Sequence, residues 1–183
     1  MTFLYTVELL DINKHDLKSF NCGKPEMNAF LSRFAFKHSK LGLSATWVLT
    51  KEANEPNNKN DTKQEKQRAK SEVITYYTLA ASTVVKSGIP TDKSLPHYPI
   101  LVVLLARLAV DQKYQGKGLG AKILVTAIRH AVELTDRGLP AYGLVLDVLD
   151  DDALKFYESF DFFEPFTNNP MRLFIGMNSV RQL

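Results

Sequence analysis

A single cysteine, Cys22, stands among 183 residues. It excludes an intramolecular disulfide and a thiolate metal cluster, and it fits a reducing compartment. With no histidine or aspartate signature beside it, Cys22 reads as a buried structural thiol. The four histidines, His15, His38, His97 and His130, are scattered and show no metal-ligand spacing such as HExxH. The longest apolar run, residues 100–106, is far too short to span a bilayer. Residues 1–11 lack the basic flank and small-residue cleavage site of a secretory leader. These absences predict a soluble, cytoplasmic protein with no bound metal. A large excess of charge of one sign is also missing. The net charge of +3 and pI near 8.9 permit an acidic partner without demanding one.

What is present is ordinary globular composition, 45% apolar and 23% charged, in a length that suits one domain with an insert. The clearest shift in composition is residues 51–72, where Ala53 and Ala69 are the only apolar side chains. Six positive charges there face five negative ones. Such a stretch cannot bury enough apolar surface to offset its ordering entropy. It predicts a mobile, solvated insert between two strands at 45–50 and 73–80.

Residues 24–40 predict a helix. Pro25 suits a first helical position, and Gly42 suits the stop. Met27, Phe30, Leu31 and Phe34 recur at three- and four-residue spacing and build one apolar face. Arg33, Lys37 and Lys40 fall on another face, either a plain solvated surface or a phosphate-contacting edge. Residues 100–110 are almost continuously apolar and predict a central strand buried on both faces. Arg107, its one charge, must leave the sheet face, pair, or point into a cleft.

Residues 118–134 predict the longest helix, with Leu119, Ile123, Ala127, Ala131 and Leu134 along one side, widened by Leu124 and Ile128. Arg137 and Gly138 end it. A strand at 143–149, a helix at 153–160 capped by the acidic run from Asp150, and a last strand at 172–177 follow. Phe160, Phe162, Phe163 and Phe166 read mostly as core. The sum is an α/β (α+β) domain on one mixed sheet.

Chemistry concentrates in residues 107–120. A buried strand ends near Val110, a polar turn follows, and Gly116, Gly118 and Gly120 lead into the long helix. Glycines let the backbone curl and approach a ligand closely. The unpaired N–H groups of the helix start then face the curl, which suits a pyrophosphate. The Walker pattern GxxxxGK[ST] is absent. The dinucleotide pattern GxGxxG/A is met by Gly116, Gly118 and Ala121. Against it, the acidic ribose partner is misplaced, because Asp136 ends the helix, and too little chain follows for a dinucleotide domain.

A third pattern, Gln/Arg-x-x-Gly-x-Gly/Ala, is met by Gln115, Gly118 and Gly120. Residues 153–162 (ALKFYESFDF) follow A-x-x-F-Y-x-x-x-G-F, with Asp161 at the glycine position. On these two motifs the chain resembles the GNAT superfamily of acetyl-CoA-dependent N-acetyltransferases. FNCG at 20–23, MNAFL at 27–31, YYTLAA at 76–81, ARLAVD at 106–111 and NPM at 169–171 narrow the resemblance. They are similar to the TacT-like acetyltransferase toxins of type II toxin–antitoxin modules.

The resemblance implies a single GNAT domain over residues 1–183, with acetyl-CoA seated where the parallel strands around 108–110 and 144–149 splay apart. Leu108, Ala109 and Val110 would meet the pantetheine, with the N–H of Val110 near the thioester oxygen. The amides of Gln115, Gly116, Lys117, Gly118, Leu119, Gly120 and Ala121 would hold the pyrophosphate. Asp150, Ala153, Lys155 and Phe156 would line the cofactor's outer parts. Tyr157 would be the general acid that protonates the leaving thiolate.

The acceptor implied is the α-amine of aminoacyl-tRNA, whose acetylation blocks translation. An α-amine, with a pKa of roughly 7.7–8.0, needs less help from a base than a lysine at about 10.4. Asp111 is either that base or a turn cap. Arg33, Lys37, Lys40 and Arg107 would contact the tRNA. A small DNA-binding antitoxin of ribbon-helix-helix type and a homodimer are also implied. Three other readings remain at this point: acetylation of a small amine, an antibiotic or a protein N-terminus; a non-catalytic acyl-CoA-binding regulator; and a nicotinamide dehydrogenase, which would bind NAD(H) and not CoA.

Overall fold

A computed structural model describes residues 7–51 and 70–182. They fall into two compact units, residues 7–51 and 70–78 with 107–124, and residues 79–106 with 125–182. The strands are β1 (Glu8–Leu9), β2 (His15–Asp16), β3 (Ala45–Lys51), β4 (Ser71–Val84), β5 (Ile100–Val110), β6 (Gly143–Asp147), β7 (Glu164–Phe166) and β8 (Asn169–Gly176). The helices are α1 (Pro25–Ala29), α2 (Ala35–Lys40), α3 (Leu119–Asp136), α4 (Asp151–Glu158) and α5 (Met177–Val180). The long strands β4 and β5 are neighbours in the sheet, and each contributes residues to both units.

In the first unit β1 pairs antiparallel with β3, and β2 runs parallel to the start of β4. The predicted helix is present, starting at Pro25, but it is not regular. A π-helical turn, Phe30–Phe34, separates α1 from α2. The N–H of Ala35 donates to the Phe30 carbonyl across it. The wide turn shifts the apolar face by one residue. Ala35 is therefore fully buried, whereas Phe34, expected on that face, is 46% exposed. Met27, Phe30, Leu31 and Ala35 pack with Phe20, Val48, Val73, Tyr76 and Ala109 into one core. Gly42, at φ +69°, closes α2. Leu43 N–H donates to His38 C=O and Gly42 N–H to Ser39 C=O, the paired bonds of a Schellman stop.

His15 ties the first strands together. Its Nδ1 accepts from the Asp11 N–H at 3.0 Å, which leaves Nε2 to donate to Glu8 at 3.1 Å. The predicted insert lies outside the described residues except at its ends. Lys51 closes β3, and Ser71 and Glu72 already belong to β4.

In the second unit β5 pairs parallel with β6 through Val103↔Leu144 and Leu104↔Val145. β6 pairs antiparallel with β8, which folds back on β7. α3 buries the side the spacing predicts, with Ile123, Leu124, Ala127 and Ala131 all sealed from water. Leu134 departs from it at 39% exposure, and Thr135 takes the buried position instead. The strand β5 is not buried on both faces as its sequence suggested. Leu101 is 46% exposed, Arg107 is exposed, and Val103, Leu104 and Leu108 are half-buried. No helix among the described residues is long and apolar enough to cross a membrane.

Candidate active site

The first group of candidate residues sits where β5 runs out. Asp111 N–H donates to the Ile74 carbonyl, and the Ala109 carbonyl accepts from Thr75 Oγ1 at 2.6 Å. Both therefore face β4. Main-chain groups alternate along a strand, so those of Leu108 and Val110 face its opposite edge. The ladder to β6 lies earlier in the strand, at Val103 and Leu104. On that edge the Val110 carbonyl accepts from Gln115 Nε2 at 2.8 Å. The Val110 N–H points along the same edge.

The turn after β5 is built from within. Asp111 is 2% exposed and serves as a cap. Its carboxylate accepts from Lys113 N–H at 3.0 Å and from Asn21 N–H at 2.8 Å. Of the two roles open to it from the sequence, this is the turn role. Lys113 reaches Glu72 at 2.7 Å, and that hydrogen bond raises the lysine above its ordinary pKa. Gly116 and Gly118 both take φ +73°, a left-handed conformation that disfavours any side chain. A Cβ at either would meet nothing within 4 Å, so the space before them is open. Gly120 lies inside the first turn of α3 and needs no such conformation. Lys117 is exposed, with its ammonium 6.0 Å from the Tyr114 ring centre. Open left-handed glycines at the start of an 18-residue helix fit a phosphate-bearing coenzyme.

One part of this turn was not legible in the sequence. The irregular segment at 21–23 clasps it. Gln112 N–H donates to the Asn21 carbonyl at 2.9 Å, and Gln115 Nε2 donates to the Cys22 carbonyl at 3.0 Å. Gly23, at φ +87°, leaves room for the Gln112 side chain, which would lie 2.7 Å from a Cβ there. The available signal was Asn21 with Gly23, a turn pair ahead of Pro25. Cys22 itself is buried, and burial raises its thiol pKa, as expected for a structural cysteine.

The second group lies on α4. Asp150 caps the helix, its Oδ1 accepting from Ala153 N–H at 2.9 Å. Lys155 is exposed, and Ala153 and Phe156 are half-buried. Tyr157 is 8% exposed, its ring edge-on to Phe156 at 5.1 Å and to Phe163 at 5.9 Å. Burial alone pushes its phenol up to about 12, so it stays protonated at any physiological pH. Asp161, at the family's glycine position, adopts no positive φ and carries no strain. Of the four phenylalanines read mostly as core, only Phe166 is buried. Phe160, Phe162 and Phe163 are half-buried and close a ring of contacts with Phe156 and Tyr157.

The basic candidates are at the surface. Arg33, Lys37 and Lys40 are exposed on the π turn and α2. Arg107 is exposed on β5, with its guanidinium 5.1 Å from the centre of the Phe30 ring. Among the described residues no group of histidine, cysteine and carboxylate side chains could hold a metal.

A strand end followed by open left-handed glycines and a helix start fits an acyl-CoA-dependent acetyltransferase. The profile of the acetyltransferase (GNAT) domain matches residues 76–164. The chain belongs to the GNAT acetyltransferase family. It is 32% identical over 171 residues to the tRNA-acetylating toxin of Mycobacterium tuberculosis strain H37Rv, covering 92% of this chain and 90% of that protein. Among solved structures it is similar to AtaTR bound with acetyl-CoA, at 27% identity and TM-score 0.77 over 97% of this chain and 96% of the other. It is also similar to AtaT complexed with acetyl-methionyl-tRNAfMet, at 27% identity and TM-score 0.78 over 97% of each chain. Family membership removes the dinucleotide reading of the glycine turn.

Proposed function

We propose that this chain is the toxin of a toxin–antitoxin module, acting in the cytoplasm as a single acetyltransferase domain over residues 1–183. It transfers acetyl from acetyl-CoA to the α-amine of aminoacyl-tRNA and so stops translation. The observation that carries this reading is the end-to-end likeness to a tRNA-acetylating toxin. Its partners are charged tRNA, a second copy of the chain and a small DNA-binding antitoxin of ribbon-helix-helix type. Among these partners, the name of the tRNA-acetylating toxin supports the tRNA.

Acetyl-CoA supplies an activated acyl group with a thiol leaving group. The chain's residues do the rest. Backbone groups of Leu108 and Val110, which face away from β4, hold the pantetheine arm as an added strand would be held, and Ala109 spaces them. The Val110 N–H donates to negative charge developing on the thioester oxygen. Gln115 Nε2 already donates to the Val110 carbonyl, which leaves the N–H as the group of Val110 free to act as donor. The amides of Gln115, Gly116, Lys117, Gly118, Leu119, Gly120 and Ala121 hold the pyrophosphate. Asp150, Ala153, Lys155 and Phe156 contact the outer parts of the coenzyme, Asp150 through its backbone because its carboxylate is committed to the cap.

Tyr157 gives its proton to the departing sulfur. Dry surroundings raise the basicity of a thiolate as they raise that of the phenol, so the transfer stays matched. Arg33, Lys37, Lys40 and Arg107 receive tRNA phosphates.

Purified protein incubated with labelled acetyl-CoA and total charged tRNA tests the reading. Label on aminoacyl-tRNA α-amines is the expected result. Label confined to free small amines, polyamines or protein N-termini would overturn it, and no turnover with retained CoA binding would favour a regulator.

A further inference from the structure

We propose that Phe34 is a stacking platform for an unpaired base at the 3′ end of charged tRNA. This rests on the tRNA reading above and assigns it a binding residue outside the motif. Pattern and position conflict at this residue. Helical spacing assigns Phe34 to the buried face with Met27, Phe30 and Leu31, yet it is 46% exposed. The π turn of Phe30–Phe34 causes this, and such turns are rare and frequent at functional sites. A large aromatic ring held in water forfeits its burial, so the exposed position calls for an occupant.

The surroundings say which kind. Rings and a cation follow one another here. The Phe34 ring lies 6.3 Å from that of His38, His38 lies 5.5 Å from Phe30, and the Arg107 guanidinium lies 5.1 Å over Phe30. Arg33 and Lys37 flank Phe34 and are exposed. Within residues 24–43 the one acid, Glu26, stands against Lys24, Arg33, Lys37 and Lys40. An aromatic face framed by cations matches a base attached to a phosphate. Every base has a π face, so such a platform tolerates sequence and suits an end that all tRNAs share. Arg107 precedes Val110 by three positions on β5, about 10 Å along the strand, so the platform is tied to the element that carries the proposed thioester contact.

Steady-state acetylation by the full chain tests this, with charged tRNA and with the methyl ester of the same amino acid as alternative acceptors. Phe34→Ala should raise the KM for charged tRNA by about 5- to 100-fold, the change expected on removing one base–aromatic stack. Turnover of the methyl ester and affinity for acetyl-CoA should not move. Phe34→Trp should restore the tRNA KM, and Phe34→Leu should not. An unchanged tRNA KM in Phe34→Ala overturns the proposal. So does an equal loss on the methyl ester, or rescue by leucine, since either marks a packing role.

If the wild-type protein acetylates no charged tRNA, the function proposed above fails on its own. Binding of a short unpaired RNA ending in CCA then decides the platform. Binding lost in Phe34→Ala and regained in Phe34→Trp supports it, while equal binding by all three, or capture of an acidic peptide in place of RNA, overturns it.

Discussion

The side-chain amide of Gln115 donates to the main-chain carbonyl of Val110 at 2.8 Å, and the same nitrogen donates to the carbonyl of Cys22 at 3.0 Å. One side chain thus ties the end of β5 to the segment that enters α1. The Gln115 backbone is proposed to face phosphate, while its side chain holds the turn's own framework. Gln115→Leu should lower stability by about 1 kcal/mol, because both carbonyls lose a donor near water. It should raise the KM for acetyl-CoA more than it lowers kcat. Denaturant melts and a saturation series measure the two effects. An unchanged KM would show that the turn keeps its shape without the amide.

The open space before Gly116 and Gly118 separates a folding effect from a binding effect. Gly118→Ala places a Cβ in a left-handed residue at a cost of about 1–2 kcal/mol, with no clash inside the protein. The same Cβ enters the space proposed for pyrophosphate. Calorimetry should therefore show acetyl-CoA affinity reduced by about tenfold or more, while the thermal midpoint moves by only a few degrees.

Tyr157→Phe should lower kcat by about 10²–10⁴-fold, the usual weight of a positioned acid, and leave acetyl-CoA affinity unchanged. An unaltered kcat would remove Tyr157 from the chemistry. The raised pKa has a sign that can be checked as well. Unfolded, the phenol ionises near 10, and folded it ionises at about 12. The folded state prefers the neutral phenol, so this contribution is complete below pH 10 and is lost as pH rises towards 12. Alkaline unfolding should be shallower in Tyr157→Phe over that window. Burial also raises Tyr76, so part of the slope should survive the substitution.

Neutralising Arg33, Lys37 and Lys40 together should weaken use of charged tRNA and flatten its salt dependence. The slope of log affinity against log salt should fall by roughly 0.7–0.9 for each phosphate left without its cation. Acetyl-CoA affinity, measured in the same buffers, should stay constant. A salt slope that does not change would place the tRNA elsewhere on the surface.

Residues acting on near neighbours were readable from the sequence. Pro25 starts a helix because its ring fixes φ, and Gly42 stops one because glycine tolerates a positive φ. The three- and four-residue spacing in α3 found its buried side up to Ala131, and the acidic run from Asp150 found the cap of α4. The glycine turn was readable for the same reason. Short pairings were not. β1, β2 and β7 span two or three residues each, too few for a periodic signal, and partners distant in the chain hold them.

The sequence by itself determined where the chain must curl, where its helices begin and end, and that a glycine turn leads into the longest of them, since these depend on residues a few positions apart. Only the tertiary structure decided which face of β5 is covered, that Phe34 turns outward while Ala35 turns in, and that Phe160, Phe162 and Phe163 stay half in water. It also decided that Asp111 spends its carboxylate on Asn21, 90 residues away along the chain. Burial and hydrogen bonding are set by whatever else arrives at the same place, and no local pattern records that arrival.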